Sequence, residues 1–373
     1  MELVETLENI LSNDKNLRLK SEEIISNLIE KGLQEYLEKM TFILIDERFS
    51  LKARQMAATL LKNPILHIPK IQEQWLTFDI TVKDNIRNQI LTALGSENEF
   101  IRIVTGSVIA AFAKVETPIS EKWKTLFPCL CQTNFGNDKF LLSAVQTLGF
   151  IAEEVSKKDL LSEEIDQILY LLVVSIENNL NNINVIAAAL KAIVKVLPLI
   201  GARKMEIKNY AEILFNKILI VGEAYSTNEK ILEIICRIFI ELAENYYYTI
   251  DFFIKEISSF SFVLIGGNVK SLALLGLEFW CRLASEEANK VKNDLEKKLK
   301  SSKGYLQLYF DQLYEIIDKF LVIMDDDDDE WNVSKASCYL LVLLVKTVNE
   351  NSLLKITKDV EGKNFLIIRT NKI

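Results

Sequence analysis

Few side chains in this chain could do chemistry, and their spacing limits what that chemistry would be. There is one histidine, His67, set between Pro64 and Pro69, which suggests a loop between elements. A single histidine excludes any site needing two. A Ser-His-Asp or Cys-His arrangement would have to use this one, and no nucleophile motif stands out beside it. Cys129 and Cys131 are spaced C-x-C with no second pair at zinc-site distance. Cys236, Cys281 and Cys338 lie inside helical patterns and read as buried thiols. An odd total of five cysteines without regular spacing argues against a disulfide framework and for a reducing compartment. Gly266-Gly267 is the only adjacent glycine pair; no Gly-Lys-Ser/Thr follows, so it reads as a connector rather than a phosphate cradle. These residues point to no enzyme, no metal and no cofactor. What remains is the run Asp325, Asp326, Asp327, Asp328, Asp329 and Glu330, followed by Trp331. Adjacent like charges repel, so the run should be an exposed loop, here 324–331. An indole beside clustered carboxylates can receive Lys or Arg: the carboxylates steer the cation and the ring face stacks on it.

That run also dominates the charge. It holds six of the net −8, so the rest of the chain is close to neutral. Such a balance disfavours nucleic acid as a partner. The 373 residues are 49% hydrophobic, ample for a buried core. Twelve Gly and five Pro are too few for an all-β sandwich, which needs a turn every ~8–12 residues. The opening residues carry early carboxylates and read as a short amphipathic helix, without the apolar core of a signal peptide. Ile168–Ile176 and Tyr339–Val345 fall short of the ~20 residues needed to span a bilayer, so no membrane insertion is expected.

The elements that must position these residues are helices, and they recur. Apolar residues at i, i+3, i+4, i+7, i+8 and i+11 line one helix face. Ile186, Ala189, Leu190, Ile193, Val194 and Leu197 fit completely, as do the sets that begin at Ile231 and Val269. Sets beginning at Leu141 and Ile101 fit with a position missing. Shorter versions begin at Ala53 and Val333. The steps between first residues are 48, 40, 45, 45, 38 and 64. Most lie near the ~40–47 expected of HEAT and armadillo repeats. Second helices such as Ile168–Ile176 and Ile213–Gly222 fall between the sets. Each repeat is then a helical hairpin whose apolar face is buried only by its neighbours. The expected fold is an all-α, right-handed α-solenoid of HEAT repeats, continuous over 1–350 with about eight repeats. The long step covers Ser285–Lys303, Lys/Glu/Ser-rich and expected to be an insertion, and 351–373 is expected to be a diverged or truncated tail.

Several segments resemble the importin beta family of karyopherins in order and spacing. Asp325–Val333 resembles the acidic loop and following helix of its eighth HEAT repeat. Leu277-Glu278-Phe279-Trp280 with Ser285-Glu286-Glu287 resembles the E-F-W-S segment and its acidic follow-on. Asn245-Tyr246-Tyr247, Leu148-Gly149-Phe150-Ile151, Gln74-Trp75-Leu76, the stretch Ala53-Arg54 through Leu61-Lys62-Asn63, and Met1-Glu2-Leu3 with Leu7-Glu8 are also similar. The resemblance covers about 1–350; Val360–Ile373 departs from it, and the family continues through many further repeats.

The resemblance implies a nuclear import receptor, present in cytoplasm and nucleus and at the pores of the nuclear envelope. Ran-GTP would bind the N-terminal repeats, where Arg54 and Asn63 lie. The acidic loop Asp325–Asp329 with Glu330 would contact Ran and basic cargo. Trp331 would pack on importin alpha or a basic nuclear-localisation segment. Phe-Gly repeats of nucleoporins would enter a pocket of Leu169, Tyr170 and Val173 on one helix and Ile213 and Leu214 on the next. Ran-GTP would release cargo by competition, without catalysis. A HEAT scaffold of another pathway, for a phosphatase or a vesicle coat, is the alternative; such a scaffold has no need of the acidic loop or the E-F-W segment.

Overall fold

Asx and Ser side chains start the helices. Asp14, Ser50, Asn98, Asn228 and Asn332 each accept backbone N–H bonds from the first turn of the helix that follows. Asn182 does the same from Val185 N. Each such cap is worth about 1 kcal/mol. Ser50, Asn98, Asn182 and Asn228 sit three or four residues before apolar sets identified from sequence, and Asn332 directly before the set at Val333, so cap and stripe together mark these helices. The computed structural model describes residues 2–118, 123–132, 138–156, 159–200, 207–248, 250–297, 302–321 and 330–362. The acidic residues Asp325–Asp329 and the end of the tail, from 363 onward, lie outside them.

The chain forms two units, Met1–Ala224 and Tyr225–Ile373. The first unit is a row of hairpins, each with a leading and a return helix. The pairs are α1 (Glu2–Asn9) with α2 (Lys15–Lys31), and α3 (Leu33–Ile45) with α4 (Leu51–His67). After the short α5 (Pro69–Leu76) come α6 (Ile80–Ala93) with α7 (Glu99–Glu116), and α8 (Leu126–Leu130) with α9 (Asp138–Glu154). Then come α10 (Ser162–Asn178) with α11 (Ile183–Ile200), and α12 (Ile207–Ala224). Return helices pack on return helices: α4 on α7, α7 on α9, α9 on α11. Leading helices do likewise, α3 on α6 and α10 on α12. The apolar stripes fill these seams, as expected of faces that no hairpin can bury alone.

The second unit begins with α13 (Glu229–Asn245), followed by α14 (Ile254–Gly266), α15 (Lys270–Lys297), α16 (Tyr305–Leu308), α17 (Phe310–Leu321), α18 (Val333–Thr347) and α19 (Glu350–Gly362). Its return helices α13, α15 and α18 stack in turn, with α14 against α15 and α17 against α18. No strand occurs among the described residues. Helix axes approach closely where glycine sits in a seam. A Cβ on Gly106 would lie 2.6 Å from Thr147 Oγ1, and one on Gly276 would lie 2.7 Å from Ile265.

Several charged and aromatic polar groups buried in the seams are paired, although the hydroxyls of Thr41, Thr105 and Ser175 are not. In the first unit Glu116 on α7 accepts from Trp75 Nε1 (2.7 Å) and from Arg87 Nη2 (2.5 Å). Trp75, Arg87 and Glu116 are all buried, so one carboxylate joins α5, α6 and α7. In the second unit Glu287 accepts from Tyr247 Oη (2.8 Å), Ser302 Oγ (3.0 Å) and the N–H groups of Tyr305 (2.9 Å) and Leu306 (2.8 Å). Trp280 donates to Ser261 Oγ (2.9 Å) and stacks on Phe262.

Three expectations are corrected. His67 is not in a loop; it is the last residue of α4, whose helix runs through Pro64. Proline has no N–H, so the Leu60 carbonyl four residues back loses its helical donor. The buried hydroxyl of Tyr36 donates to it instead, at 2.6 Å. Next, the stretch expected as an insertion at Ser285–Lys303 continues α15 as far as Lys297, and its Glu287 is a buried anchor. The Lys/Glu-rich composition hid a carboxylate that faces inward. Finally, the helix most apolar over a bilayer-length window is α11, long and apolar enough to cross a membrane by length and composition, though 61% buried in the stack.

These pairings carry measurable weight. Glu116→Ala leaves the buried Arg87 with only the exposed Asp84 as an ionic partner (2.7 Å) and should cost about 3 kcal/mol in urea unfolding of the first unit, whereas Arg87→Met with Glu116→Leu should cost far less. Tyr36→Phe should cost about 1–3 kcal/mol by orphaning the Leu60 carbonyl, and Pro64→Ala in the same chain should recover most of it. A Tyr36→Phe loss that Pro64→Ala leaves untouched would contradict the hydroxyl's role. Lys303 beside Asp251, with help from Tyr305, holds the Asp251 carboxyl below its ordinary value. A depressed carboxyl stabilises the fold above its unfolded value and loses that contribution as pH falls through the lowered one. The protection factor of the amides at residues 303–305, taken against the intrinsic rate at each pH, should therefore fall on acidification, and Asp251→Asn should lower it already at neutral pH.

Candidate functional site

The residues expected to bind partners fall in three places. At the N-terminal end, Arg54 is the fourth residue of α4 and is buried. Its Nε donates to the Leu44 carbonyl (2.9 Å) and its Nη2 to Ser96 Oγ (3.3 Å). Arg102, the fourth residue of α7, donates to the Ser96 carbonyl (2.8 Å), and Arg18, the fourth of α2, to the Ser12 carbonyl (2.7 Å). The three arginines thus hold the chain entering their helices, and Arg54 also ties one hairpin to the next. Burial draws its pKa down while Glu47 and Asp46 oppose the change. Arg54, in the stretch expected to carry the Ran region, is thus a buried anchor. Asn63, by contrast, is exposed on α4.

The second place is the seam between α10 and α12. Tyr170 and Ile213 stand 51% and 44% exposed, while Leu169, Val173 and Leu214 are buried. The five residues are therefore not one open pocket. Two are exposed, one on each helix, and three are buried as core. Lys217 on α12 pairs with Glu177 on α10 at 2.9 Å, bridging the same seam. Val174, half-buried, and Ile220, exposed, extend the apolar surface; both lie on faces of period 3.6 with Tyr170 and Ile213, a signal readable in the sequence. A planar ring resting here would bury apolar area worth a few kcal/mol at most, about 25 cal/mol per Å².

The third place is in the second unit. Glu330 is exposed and opens the turn into α18, and Asn332 caps that helix. Trp331 meets Tyr339 edge-on, with ring centroids 6.3 Å apart. An exposed indole beside a carboxylate offers an aromatic face to a cation. Elsewhere the reactive groups are quiet. Burial pushes the thiols of Cys131, Cys236 and Cys281 up to about 12, which keeps them protonated. Among the described residues no group of His, Cys, Asp or Glu could hold a metal ion.

Comparison with known proteins bears on the fold. Residues 21–96 match the importin-beta N-terminal domain family. The chain is 23% identical over 378 residues to importin subunit beta-1 of Arabidopsis thaliana, covering 97% of this chain and 43% of the relative. Among solved structures it superimposes on yeast importin-beta (Kap95p) in complex with Nup1, with TM-score 0.84 and 22% identity, covering 100% of this chain and 44% of the other. It superimposes equally over Kap95p bound to Ran, where binding switches the loops of RanGDP to the GTP-bound conformation, with TM-score 0.83, 22% identity and the same coverage. The all-α HEAT solenoid expected from sequence is the fold these structures share. The chain spans less than half the length of the relatives it matches.

Arg54→Ala should destabilise the first unit by about 1–3 kcal/mol, because it strips a buried carbonyl of its donor. Arg54→Lys should restore little, since an ammonium cannot bridge Leu44 and Ser96 as a fork does. Asn63→Ala should leave stability unchanged in the same urea titration.

Proposed function

For this importin beta-like chain we propose the work of a nuclear import receptor, moving between cytoplasm and nucleus through the pores of the nuclear envelope. The observation that carries the reading is the collinear likeness to importin subunit beta-1 over nearly the whole chain. Complexes of the structurally similar Kap95p with Nup1 and with Ran support two of its partners. On this chain, Phe-Gly segments of nucleoporins rest on Tyr170 and Ile213 between α10 and α12, with Leu169, Val173 and Leu214 as the floor that sets the spacing. Each contact is weak and repeated, which suits rapid passage through multivalency. Ran-GTP binds the N-terminal hairpins on a surface that includes Asn63. The acidic run Asp325–Asp329 with Glu330 steers Ran and basic cargo or importin alpha, and Trp331 receives a cation. Ran-GTP and cargo weaken each other's binding, and that coupling is reciprocal. The cycle asks no catalysis of this chain.

Two measurements test the reading. The purified chain should capture Ran loaded with GTP in preference to GDP, and Asn at all five of Asp325–Asp329 should weaken the capture. A Phe-Gly peptide should bind the chain, and Tyr170→Ser with Ile213→Ser should abolish binding without changing thermal stability, because both side chains are exposed. Equal capture of both nucleotide forms together with no Phe-Gly binding would leave a plain HEAT scaffold and overturn the proposal.

A further inference from the structure

Residues 302–306 are latched to the second unit by hydrogen bonds that converge on Glu287 and Tyr247. Glu287 is 1% exposed. Its Oε1 accepts from the hydroxyls of Ser302 (3.0 Å) and Tyr247 (2.8 Å) and from the Tyr305 N–H (2.9 Å). Its Oε2 accepts from the Leu306 N–H (2.8 Å). The Tyr247 oxygen accepts in turn from the Lys303 N–H (2.7 Å), and Ser302 Oγ accepts from the Gly304 N–H (3.3 Å). Gly304 has a φ of 72°, in the left-handed region that glycine enters without strain, so the latch contains its own backbone pivot. What it holds is the entry to α16, which packs on α15, α17 and α18.

Ser302 is the member of this knot whose effect a covalent change would reverse. As a hydroxyl it gives a proton to a buried carboxylate. As a phosphate ester it has no proton to give there, and it sets a charge of about −1.5 to −2 against that carboxylate. The described lysines of the knot are engaged elsewhere. Lys303 Nζ holds Asp251 (2.7 Å). Lys290 Nζ lies over the rings of Tyr247 and Tyr248 (4.8 and 5.0 Å) and faces Glu286 at 3.7 Å. A phosphate therefore cannot keep the seat, and leaving it swings the segment about Gly304. The sequence around Ser302 suits the enzyme that would do this. Lys297, Lys298 and Lys300 precede it and Lys303 follows, a basic cluster in a chain of net charge −8 and the charge pattern that basic-directed protein kinases select. Ser302 is half-buried beside the exposed Lys303, so its hydroxyl is offered as the latch opens.

We propose that Ser302 is a phosphorylation site and that phosphoryl transfer to it releases residues 302–306 from Glu287. The Oγ–H bond of Ser302 breaks and an Oγ–P bond forms. The γ-phosphoryl bond of a nucleoside triphosphate breaks, the diphosphate leaves, and the hydroxyl proton passes to the kinase or to solvent. The switch does not rest on the import-receptor reading.

The full chain carrying Ser301→Ala, which confines labelling of this pair to Ser302, is treated with MgATP and the catalytic domain of protein kinase C. Mass spectrometry should find phosphate on Ser302. The protection factors of the Tyr305 and Leu306 amides should then fall about tenfold or more, while that of Ile238 in α13 holds. Absence of phosphate from Ser302, or phosphate with unchanged protection at Tyr305 and Leu306, overturns the proposal. So does an equal fall at Ile238, which would mean loss of the whole unit rather than release of a latch. Two variants read the charge effect without a kinase. Ser302→Asp should lower protection at Tyr305 and Leu306 more than Ser302→Ala does. Glu287→Gln added to Ser302→Asp should recover part of it, because the amide oxygen still accepts the backbone N–H groups and the like charge is gone. Ser302→Asp behaving as Ser302→Ala would overturn the switch.

Discussion

Each hairpin of this chain has an apolar face wider than its own partner helix can cover, and the structure depends on that shortfall. Return helices lie on return helices and leading helices on leading helices because only the next repeat can take the remaining area out of water. The seams are tight enough that Gly106 and Gly276 sit where a methyl group would collide. Stability in such a stack is a sum of neighbour contacts rather than one central core. A buried polar group in a seam therefore acts locally, and must be satisfied locally.

The polar groups follow from this constraint. Glu287 and Arg54 are inside because the seams run across helix ends, where backbone groups lack partners, whereas Glu116 pairs with the side chains of Trp75 and Arg87 and Tyr36 meets a carbonyl inside α4. Glu287 caps the first turn of α16, Arg54 takes the Leu44 carbonyl, and Tyr36 takes the carbonyl that Pro64 orphans. Buried side-chain pairs are thus spent on joining repeats. The ion pairs that cross seams at the surface, such as Lys114–Glu154 and Lys195–Glu153, are partly exposed and contribute little.

Binding surfaces are what the stacking leaves over. At the α10–α12 seam Leu169, Val173 and Leu214 are buried while Tyr170 and Ile213 stay outside. Along α18 Val342 and Val345 stay outside as well, as does Trp331 before it. An apolar residue in this fold is core or contact surface according to whether a neighbouring helix lies over it, and its type alone does not say which.

The sequence by itself determined the repeat. Period-3.6 stripes at near-regular steps, with Asx or Ser caps just before them, specify helix, hairpin and stacking, because each signal acts within one turn or one neighbour. It also placed Trp331, just before α18, beside the carboxylates, since they are adjacent in the chain. Only the tertiary structure decided that Arg54 is an anchor, that Glu287 faces inward from a stretch of surface-like composition, and that His67 ends a helix instead of occupying a loop. Those outcomes turn on carbonyls and hydroxyls contributed by residues 10 to 42 positions away, such as Leu44 and Ser96 for Arg54. A charged side chain reads as exposed until the fold brings it a partner, and that partner is fixed by packing between repeats rather than by local pattern.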